Sequence, residues 1–349
     1  MDLLRGFAAV GVMLFHLHNT LWIGWHHFWA LSAPTSVIQR IGAWTGQLSD
    51  PMYSLVMLFF VISGFCIHYP NAGNKAGLCV RSFYCRRFLR IYPPYFAAIF
   101  LSLAIAYLPY HSLSLFGFSQ GMLLGNLLML RGDLFNNGSL WSLPVEMELY
   151  LVYPLLYFGV RRFGWVRTAA VVSAVSLGAA GIAWQGAAWN GVHFPLYWII
   201  WFSGMMLAEF WRREKLPRLN LRWLLAAIGA GTAAHLMRSA QPAVMWLPWG
   251  LCYFILTWLL LTRIREARFD LRSIPGVRCA LFFGAISYSL YLTHAPVLGI
   301  TRWFVLNVHG GPLINYFISV LFSIPSLLIA VAFYLIIEKP SHRLARRFK

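Results

Sequence analysis

Two polar residues interrupt the apolar run at the start of the chain, and their spacing could support chemistry. Arg5 and His16 are eleven positions apart. On an α-helix this is about three full turns, so both side chains share one face about 16 Å apart. If Arg5 lies at a membrane surface, His16 lies near mid-bilayer, where an ionisable group is costly and by default functional. It could act as a general base or carry a group covalently, although a packing histidine that caps a backbone group fits the same position.

A cluster of arginines precedes the third apolar run. Arg86, Arg87 and Arg90 are spaced so that one helical face can present two of them together, and Tyr92 follows closely. Guanidinium groups bind phosphate in a bidentate manner, so the cluster suits a phosphate-bearing ligand from the cytosol. The cytoplasmic end of any membrane span also attracts such residues without binding a ligand.

The run after the second long outer loop opens with polar side chains. Trp141 and Ser142 precede Pro144, which suits the first turn of a helix, and Glu146 and Tyr150 share one face four positions apart. Glu146 is therefore expected about one turn inside the membrane, where a carboxylate requires a partner such as an arginine or histidine. It would orient an imidazole or a sugar. A carboxylate that only favours its own helix N-terminus is the alternative.

Further polar residues interrupt other apolar runs and are taken as supporting residues of the site. Ser63 precedes a glycine in the second run, and this small pair alone would permit close helix packing. Ser287, Tyr291 and His294 follow one another at spacings of four and three, which predicts a polar face inside the membrane. Glu338 closes the last run and is expected at the inner surface.

Composition places the chain among helical membrane proteins. Of its 349 residues, 60% are hydrophobic and 11% are charged, against about 25% charged in soluble domains. The apolar residues form continuous runs, which excludes a β-barrel. The net charge of +18 fits basic cytoplasmic loops and gives no reason to expect a nucleic-acid partner. The five cysteines form neither a zinc motif nor a disulfide framework, so no metal is expected.

Ten charge-poor runs are each close to the ~20 residues that cross a bilayer. They are 4–22, 51–69, 91–109, 143–160, 165–183, 193–210, 221–238, 246–262, 279–301 and 314–337. With ten spans and a cytoplasmic N-terminus, 24 Lys and Arg residues lie inside and four outside. If the further apolar run 113–130 also crossed, nine would lie inside and nineteen outside. The positive-inside rule therefore predicts ten transmembrane helices, both termini cytoplasmic, and a re-entrant or interfacial segment at 113–130.

The chain is expected to form one integral-membrane domain, 1–349, whose first run is a retained span rather than a cleaved signal peptide. Two other function classes fit the polar residues. A proton-coupled transporter or flippase of a lipid-linked saccharide could use His16, Glu146 and His294 as a proton relay. A structural subunit could use them only to hold helices together. The arginine cluster speaks against the transporter, which has no need of a cytosolic phosphate site.

Taken in order, these segments resemble the bacterial membrane acyltransferase family 3. Besides Arg5 and His16, the resemblance rests on Phe-Phe-Val-Ile-Ser-Gly at 59–64, Arg-Arg-Phe-x-Arg-Ile-Tyr-Pro at 86–93, Trp-Ser-Leu-x-x-Glu-x-x-x-Tyr at 141–150 and Ser-Tyr-Ser-x-Tyr-x-x-His at 287–294. It implies a ten-span bundle in the bacterial cytoplasmic (inner) membrane. Such a protein transfers an acetyl or other short acyl group from acyl-CoA to a hydroxyl of an envelope carbohydrate or glycolipid.

The resemblance also implies roles for individual residues. By position, His16 matches the family's catalytic histidine, Arg5 its paired arginine, and 86–90 the arginine cluster that engages the CoA donor. The co-substrate would be acyl-CoA, in the first instance acetyl-CoA, with no permanently bound cofactor. The partners would be the lipid bilayer and the carbohydrate acceptor. The chain begins closer to its first motif than its relatives do, so its start is either truncated or simply short. It shows no fused esterase-like domain, so it is expected to modify its acceptor alone.

Overall fold

The computed structural model describes residues 1–32, 35–73, 77–110, 118–132, 134, 136–185, 194–215, 220–267 and 276–348. The secondary structure of these residues is helical, with isolated bridges from Trp22 to Leu313 and from Leu134 to Asn137 in place of strands. The prediction of an all-α protein is therefore confirmed.

The helices follow one another along the chain with short connections. They are α1 (Asp2–Thr20), α2 (Trp25–Trp29), α3 (Val37–Gln47), α4 (Leu55–His68), α5 (Val80–Tyr110), α6 (Gln120–Leu127), α7 (Ser142–Trp184), α8 (Phe194–Arg212), α9 (Leu221–Ala240), α10 (Trp246–Ala267), α11 (Val277–Ala285), α12 (Ser287–His309), α13 (Tyr316–Leu321), α14 (Ile324–Phe333) and α15 (Lys339–Ala345). 3₁₀ turns at Asp50–Ser54 and Gly138–Trp141 precede α4 and α7, and a π-helical turn at Tyr334–Glu338 joins α14 to α15.

Helix occupies the described part of each of the ten predicted spans. Within the described chain, five segments are long and apolar enough to cross a membrane by themselves: Val37–His68, Val80–Leu108, Gly138–Trp184, Trp246–Glu266 and Tyr316–Ala345. The pair α11 and α12, bent by 72°, would add a sixth. Fewer than ten qualify in part because α1, α8 and α9 carry charged residues and one segment contains two predicted spans. The ten-span count and the side of the termini stay predictions.

The segment that contains two predicted spans is α7. Its 43 residues would extend about 64 Å as one straight helix, roughly twice the ~30 Å hydrocarbon core of a bilayer. Gly164 has φ 84° and ψ 166°, which breaks the helical backbone between 143–160 and 165–183. Because this backbone conformation favours glycine, the residue type is suited to the break.

The predicted re-entrant segment is described only in part. Residues 111–117 lie outside the described residues, and the eight residues of α6 form a helix about 12 Å long. The hydroxyl groups of Tyr92 and Tyr95 on α5 donate to the carbonyl oxygens of Leu127 and Asn126, both at 2.9 Å. These bonds tie the end of α6 to α5.

The chain divides into two units by its internal contacts. Unit 1 comprises Met1, Val56–Tyr84 and Val145–Cys279. Unit 2 comprises Asp2–Leu55, Cys85–Pro144 and Ala280–Lys349.

Unit 2 is built around the packing of α1 along α12, with α14 on α12 as well. The start of α1 also lies close to α11, since a Cβ atom on Gly6 would be 2.7 Å from the backbone nitrogen of Gly284. His18, on the far side of α1 from His16, donates from Nδ1 to the carbonyl oxygen of Gly46 at 2.9 Å. This bond gives His18 a structural role.

In unit 1, α10 packs against α8 and α9, and α4 crosses α8 at two glycines. A Cβ atom on Gly64 would overlap the carbonyl oxygen of Trp201, and one on Gly204 would overlap that of Val61. The small residues therefore allow the two backbones to touch, as the Ser-Gly pair at 63–64 predicts.

Replacing Gly204 by alanine should destabilise unit 1, because the added methyl group meets backbone that cannot rotate away. We expect the free energy of unfolding to fall by about 1–3 kcal/mol, as for other overpacked sites, and the midpoint of thermal unfolding in detergent to fall with it. Gly178→Ala in α7 is the matched control, because nothing lies within 4 Å of the added atom. Equal midpoints for the two variants would show that the crossing tolerates a side chain.

Candidate functional site

The packing of α1 on α12 brings two histidines of unit 2 together. The ring centroids of His16 and His294 are 5.1 Å apart. The hydroxyl oxygen of Ser139, on the 3₁₀ turn before α7, lies 3.3 Å from Nε2 of His16 and 3.2 Å from Nε2 of His294. Ser139 and His294 are buried. A hydroxyl group thus bridges two imidazoles inside the helical bundle.

The hydrogen bonds of His294 decide where the protons of this group lie. Its Nδ1 donates to the carbonyl oxygen of Leu290 at 2.9 Å, so Nε2 of the neutral imidazole must accept from the Ser139 hydroxyl. The Ser139 oxygen can then accept from Nε2–H of His16. In that tautomer the Nδ1 lone pair of His16 can take up a proton, as a general base must.

Contacts on both sides of Ser139 fix the turn that carries it. The side-chain amide of Asn137 is buried and donates to the carbonyl oxygen of Leu292 at 2.9 Å. The hydroxyl groups of Ser142 and Tyr291 are 2.7 Å apart. α12 therefore supplies both the second histidine and the anchors of the turn that faces it.

Glu146 belongs to unit 1 and is held by hydroxyl groups. Its Oε1 accepts from Ser63 at 2.9 Å and from Tyr150 one turn along α7. The indole N–H of Trp201 donates to the Ser63 oxygen at 3.1 Å. Three predicted site residues, Ser63, Glu146 and Tyr150, are thus brought together in unit 1, whereas His16 and His294 belong to unit 2.

Glu338 is buried in unit 2 and lies near two of the predicted arginines. Its Oε2 accepts from the backbone N–H and the hydroxyl of Ser289, at 3.0 and 2.5 Å. The positive charges of Arg90 and Arg5 act on its carboxylate, and Arg5 also pairs with Asp2 at 3.5 Å. Arg5 therefore lies in a charged environment near the start of α1.

The arginine-rich part of α5 contacts the end of the chain. A guanidinium N–H of Arg86 donates to the carbonyl oxygen of Phe348 at 3.0 Å. The hydroxyl group of Ser341 on α15 donates to the carbonyl oxygen of Leu89. Tyr92, predicted as a donor-binding residue, uses its hydroxyl group to anchor α6.

Ser139 and Ser289 were not predicted to belong to the site. Both lie in segments that the sequence did mark, since Ser139 precedes Trp141 by two residues and Ser289 follows Ser287 by two. Ser287 itself donates to a carbonyl oxygen just before its own helix, at 2.9 Å. Trp141 contributes its backbone, which a Cβ atom on Gly132 would overlap.

Unit 1 contains a buried contact between a histidine and a carboxylate that was not predicted either. Nε2 of His68 donates to Glu209 at 3.1 Å, and Arg213 pairs with the same carboxylate. Nδ1 of His68 and the hydroxyl oxygen of Tyr153 are 3.2 Å apart. These partners join α4, α7 and α8, so we interpret the pair as structural. Among the described residues, no group of three or more His, Cys, Asp and Glu could hold a metal ion.

The sequence matches one protein family over almost its whole length. A family model described as an acyltransferase domain matches residues 1–337. Nodulation protein 10 of Rhizobium leguminosarum bv. viciae is 31% identical to this chain over 198 residues, which are 49% of this chain and 47% of that protein. The match thus spans about half the length of that relative. No solved structure matches the chain.

These matches confirm the resemblance seen in the motifs. The matched residues include His16, Ser139 and His294 and reach the end of the last apolar run. The chain therefore carries an acyltransferase domain over residues 1–337, and its apolar helices indicate a multi-pass membrane protein. The family match favours the acyltransferase hypothesis, and it lends no support to the transporter or to a purely structural subunit. Because the family model covers 1–337 of 349 residues, the chain belongs to acyltransferase family 3.

Proposed function

We propose that the protein transfers an acetyl or other short acyl group from cytosolic acyl-CoA to a hydroxyl group of an envelope carbohydrate or glycolipid. The observation that carries this proposal is the pair of environments along α1. Arg5 and the arginines Arg87 and Arg90 all act on the charge of His342, and His16 contacts Ser139 and His294. The two α1 residues are about 16 Å apart. The phosphates of CoA suit the first environment and its thioester the second, because the extended pantetheine arm spans a comparable distance.

His16 is assigned the role of general base. Its Nδ1 takes the proton of the acceptor hydroxyl as the hydroxyl oxygen attacks the carbonyl carbon of the thioester. The C–S bond then breaks, and the CoA thiolate receives the proton. A thioester is already an activated acyl donor, so the step needs no additional activating group. A transient acyl group on His16 is the alternative role, and it would use the same lone pair.

Ser139 and His294 act as positioning residues in this scheme. Since His294 fixes the proton of Ser139, Ser139 can accept from Nε2–H of His16 and leave Nδ1 as the basic atom. The hydrogen bond also limits rotation of the His16 ring.

The proposal includes the predicted topology of ten spans with both termini in the cytoplasm of the bacterial inner membrane. The donor then arrives where Arg86, Arg87 and Arg90 are expected, on the cytoplasmic side. A cytosolic thioester could in this way acylate a sugar that does not enter the cytoplasm.

His16→Ala should lower the rate of acyl transfer by about 10²–10⁴-fold, the usual contribution of a general base. The readouts are CoA release by membrane vesicles given acetyl-CoA, and O-acetyl groups on envelope glycans of a deletion strain that expresses the variant. His27→Ala, which changes an exposed histidine, is the control. Full transfer by a well-expressed His16→Ala protein would remove histidine from the mechanism, and a wild-type protein that never consumes acyl-CoA would refute the proposed donor.

Ser139→Ala should lower kcat for acetyl-CoA by about tenfold, since the loss of one hydrogen bond of ~1.4 kcal/mol changes a rate by that factor. KM for acetyl-CoA should change little, because Ser139 is assigned to the reacting end of the site. Thr301→Val on α12 is the matched control, since that hydroxyl donates only within its own helix, to Val297 at 2.8 Å. A change confined to KM, or equal effects of the two substitutions, would contradict a positioning role.

Single cysteines at His309 and Arg347 test the topology, because both residues are exposed. In a cysteine-free background, an impermeant maleimide added to intact cells should label position 309 and not position 347. The reverse pattern would mean that 113–130 crosses the membrane. Labelling of both positions would contradict the ten-span arrangement as well.

A further inference from the structure

Several positive charges converge on α15 in unit 2. Arg90, Arg346, Arg5 and Arg87 all act on the charge of His342. These residues come from α1, from α5 and from α15 with the residue that follows it. Arginines from three elements that are far apart in the sequence are thus near enough to His342 to affect its charge.

Two hydrogen bonds hold α15 in this place. One joins Ser341, next to His342, to the backbone of α5 at Leu89. The other joins Arg86 to the carbonyl oxygen of Phe348 at 3.0 Å. The bonds lie on either side of Arg346, so the end of the chain is packed against the arginine-rich part of α5.

Glu338 is the carboxylate next to this cluster, and its contacts leave Nε2 of His342 without a hydrogen bond. Its Oε2 accepts two hydrogen bonds from Ser289, and its Oε1 lies 3.6 Å from Nε2 of His342, too far for a hydrogen bond. Nε2 of His342 is shielded from solvent and has no hydrogen-bond partner among the described residues. Buried polar atoms normally have partners, and grouped positive charges attract an anion. Both features suit a bound anion beside His342.

We infer that His342 and Arg346 complete, with Arg87 and Arg90, a binding site for the phosphate groups at the nucleotide end of CoA. The inference rests on the proposed function, because it takes acyl-CoA as the donor. Phosphate oxygens accept from guanidinium groups and from an imidazole N–H alike. The headgroup of an anionic phospholipid has the same chemistry. CoA is favoured because α1 connects this site, through Arg5, to the imidazole of His16 about 16 Å away.

Arg346→Ala should raise KM for acetyl-CoA about tenfold and leave kcat nearly unchanged, since the residue binds the part of the donor remote from the reaction. His342→Gln should act in the same direction. With acetyl-pantetheine, which lacks the nucleotide, both variants should match the wild type. Arg347→Ala is the matched control, because this exposed neighbour is not among the arginines that act on His342.

The same proteins are then compared in nanodiscs, where CoA binding is measured by calorimetry with phosphatidylcholine alone or with added phosphatidylglycerol. Tenfold weaker CoA binding by Arg346→Ala in both lipids supports the site. Equal CoA binding by Arg346→Ala and Arg347→Ala overturns it. An Arg346→Ala protein that binds CoA as the wild type does but retains less phosphatidylglycerol would also overturn it, because the cluster would then bind lipid. Since CoA binding is measured directly, a wild-type protein that binds CoA but transfers nothing would refute the proposed function without deciding against this site.

Discussion

A helix cannot change the distance between two of its own Cα atoms without breaking its hydrogen bonds, and α1 carries both polar ends of the candidate site. Its 19 residues hold Arg5 and His16 at a separation of about 16 Å. Close packing at Gly6 and along α12 fixes where each end lies in unit 2. The neighbours of α1 therefore need only supply a partner at each end: Ser139 and His294 at one, and the charges near Glu338 at the other.

Low dielectric surroundings explain why so many hydroxyl groups appear in these contacts. A charged side chain within an apolar bundle is costly, whereas serine and tyrosine supply hydrogen bonds without adding charge. Glu146 is held in this way by Ser63 and Tyr150, and Glu338 by Ser289. Each carboxylate keeps a defined orientation because its donors sit on the rigid backbone of a helix.

The sequence could predict the helices and the residues that share a face, because both follow from periodicity along one element. Ser63 with its glycine, Glu146 with Tyr150, and Tyr291 with His294 were found in this way. Partners on other elements were not predictable, since no spacing relates Ser139 to His16 or Ser289 to Glu338. Long-range packing decides such pairs, and the sequence carries only the residue types that can take part. The number of spans depends on where the bilayer lies along the helices, and helical periodicity carries no information about that position.

The crossing of α4 and α8 also has a genetic consequence. The atoms that a side chain at Gly64 would meet are backbone atoms of Trp201, and those at Gly204 are backbone atoms of Val61. A damaging substitution at either glycine therefore could not be compensated by trimming a neighbouring side chain, as is common in protein cores. Second-site suppressors would have to shift a whole helix or raise the stability of unit 1 elsewhere. A substitution at one of the two glycines should accordingly not be rescued by a compensating substitution at the other.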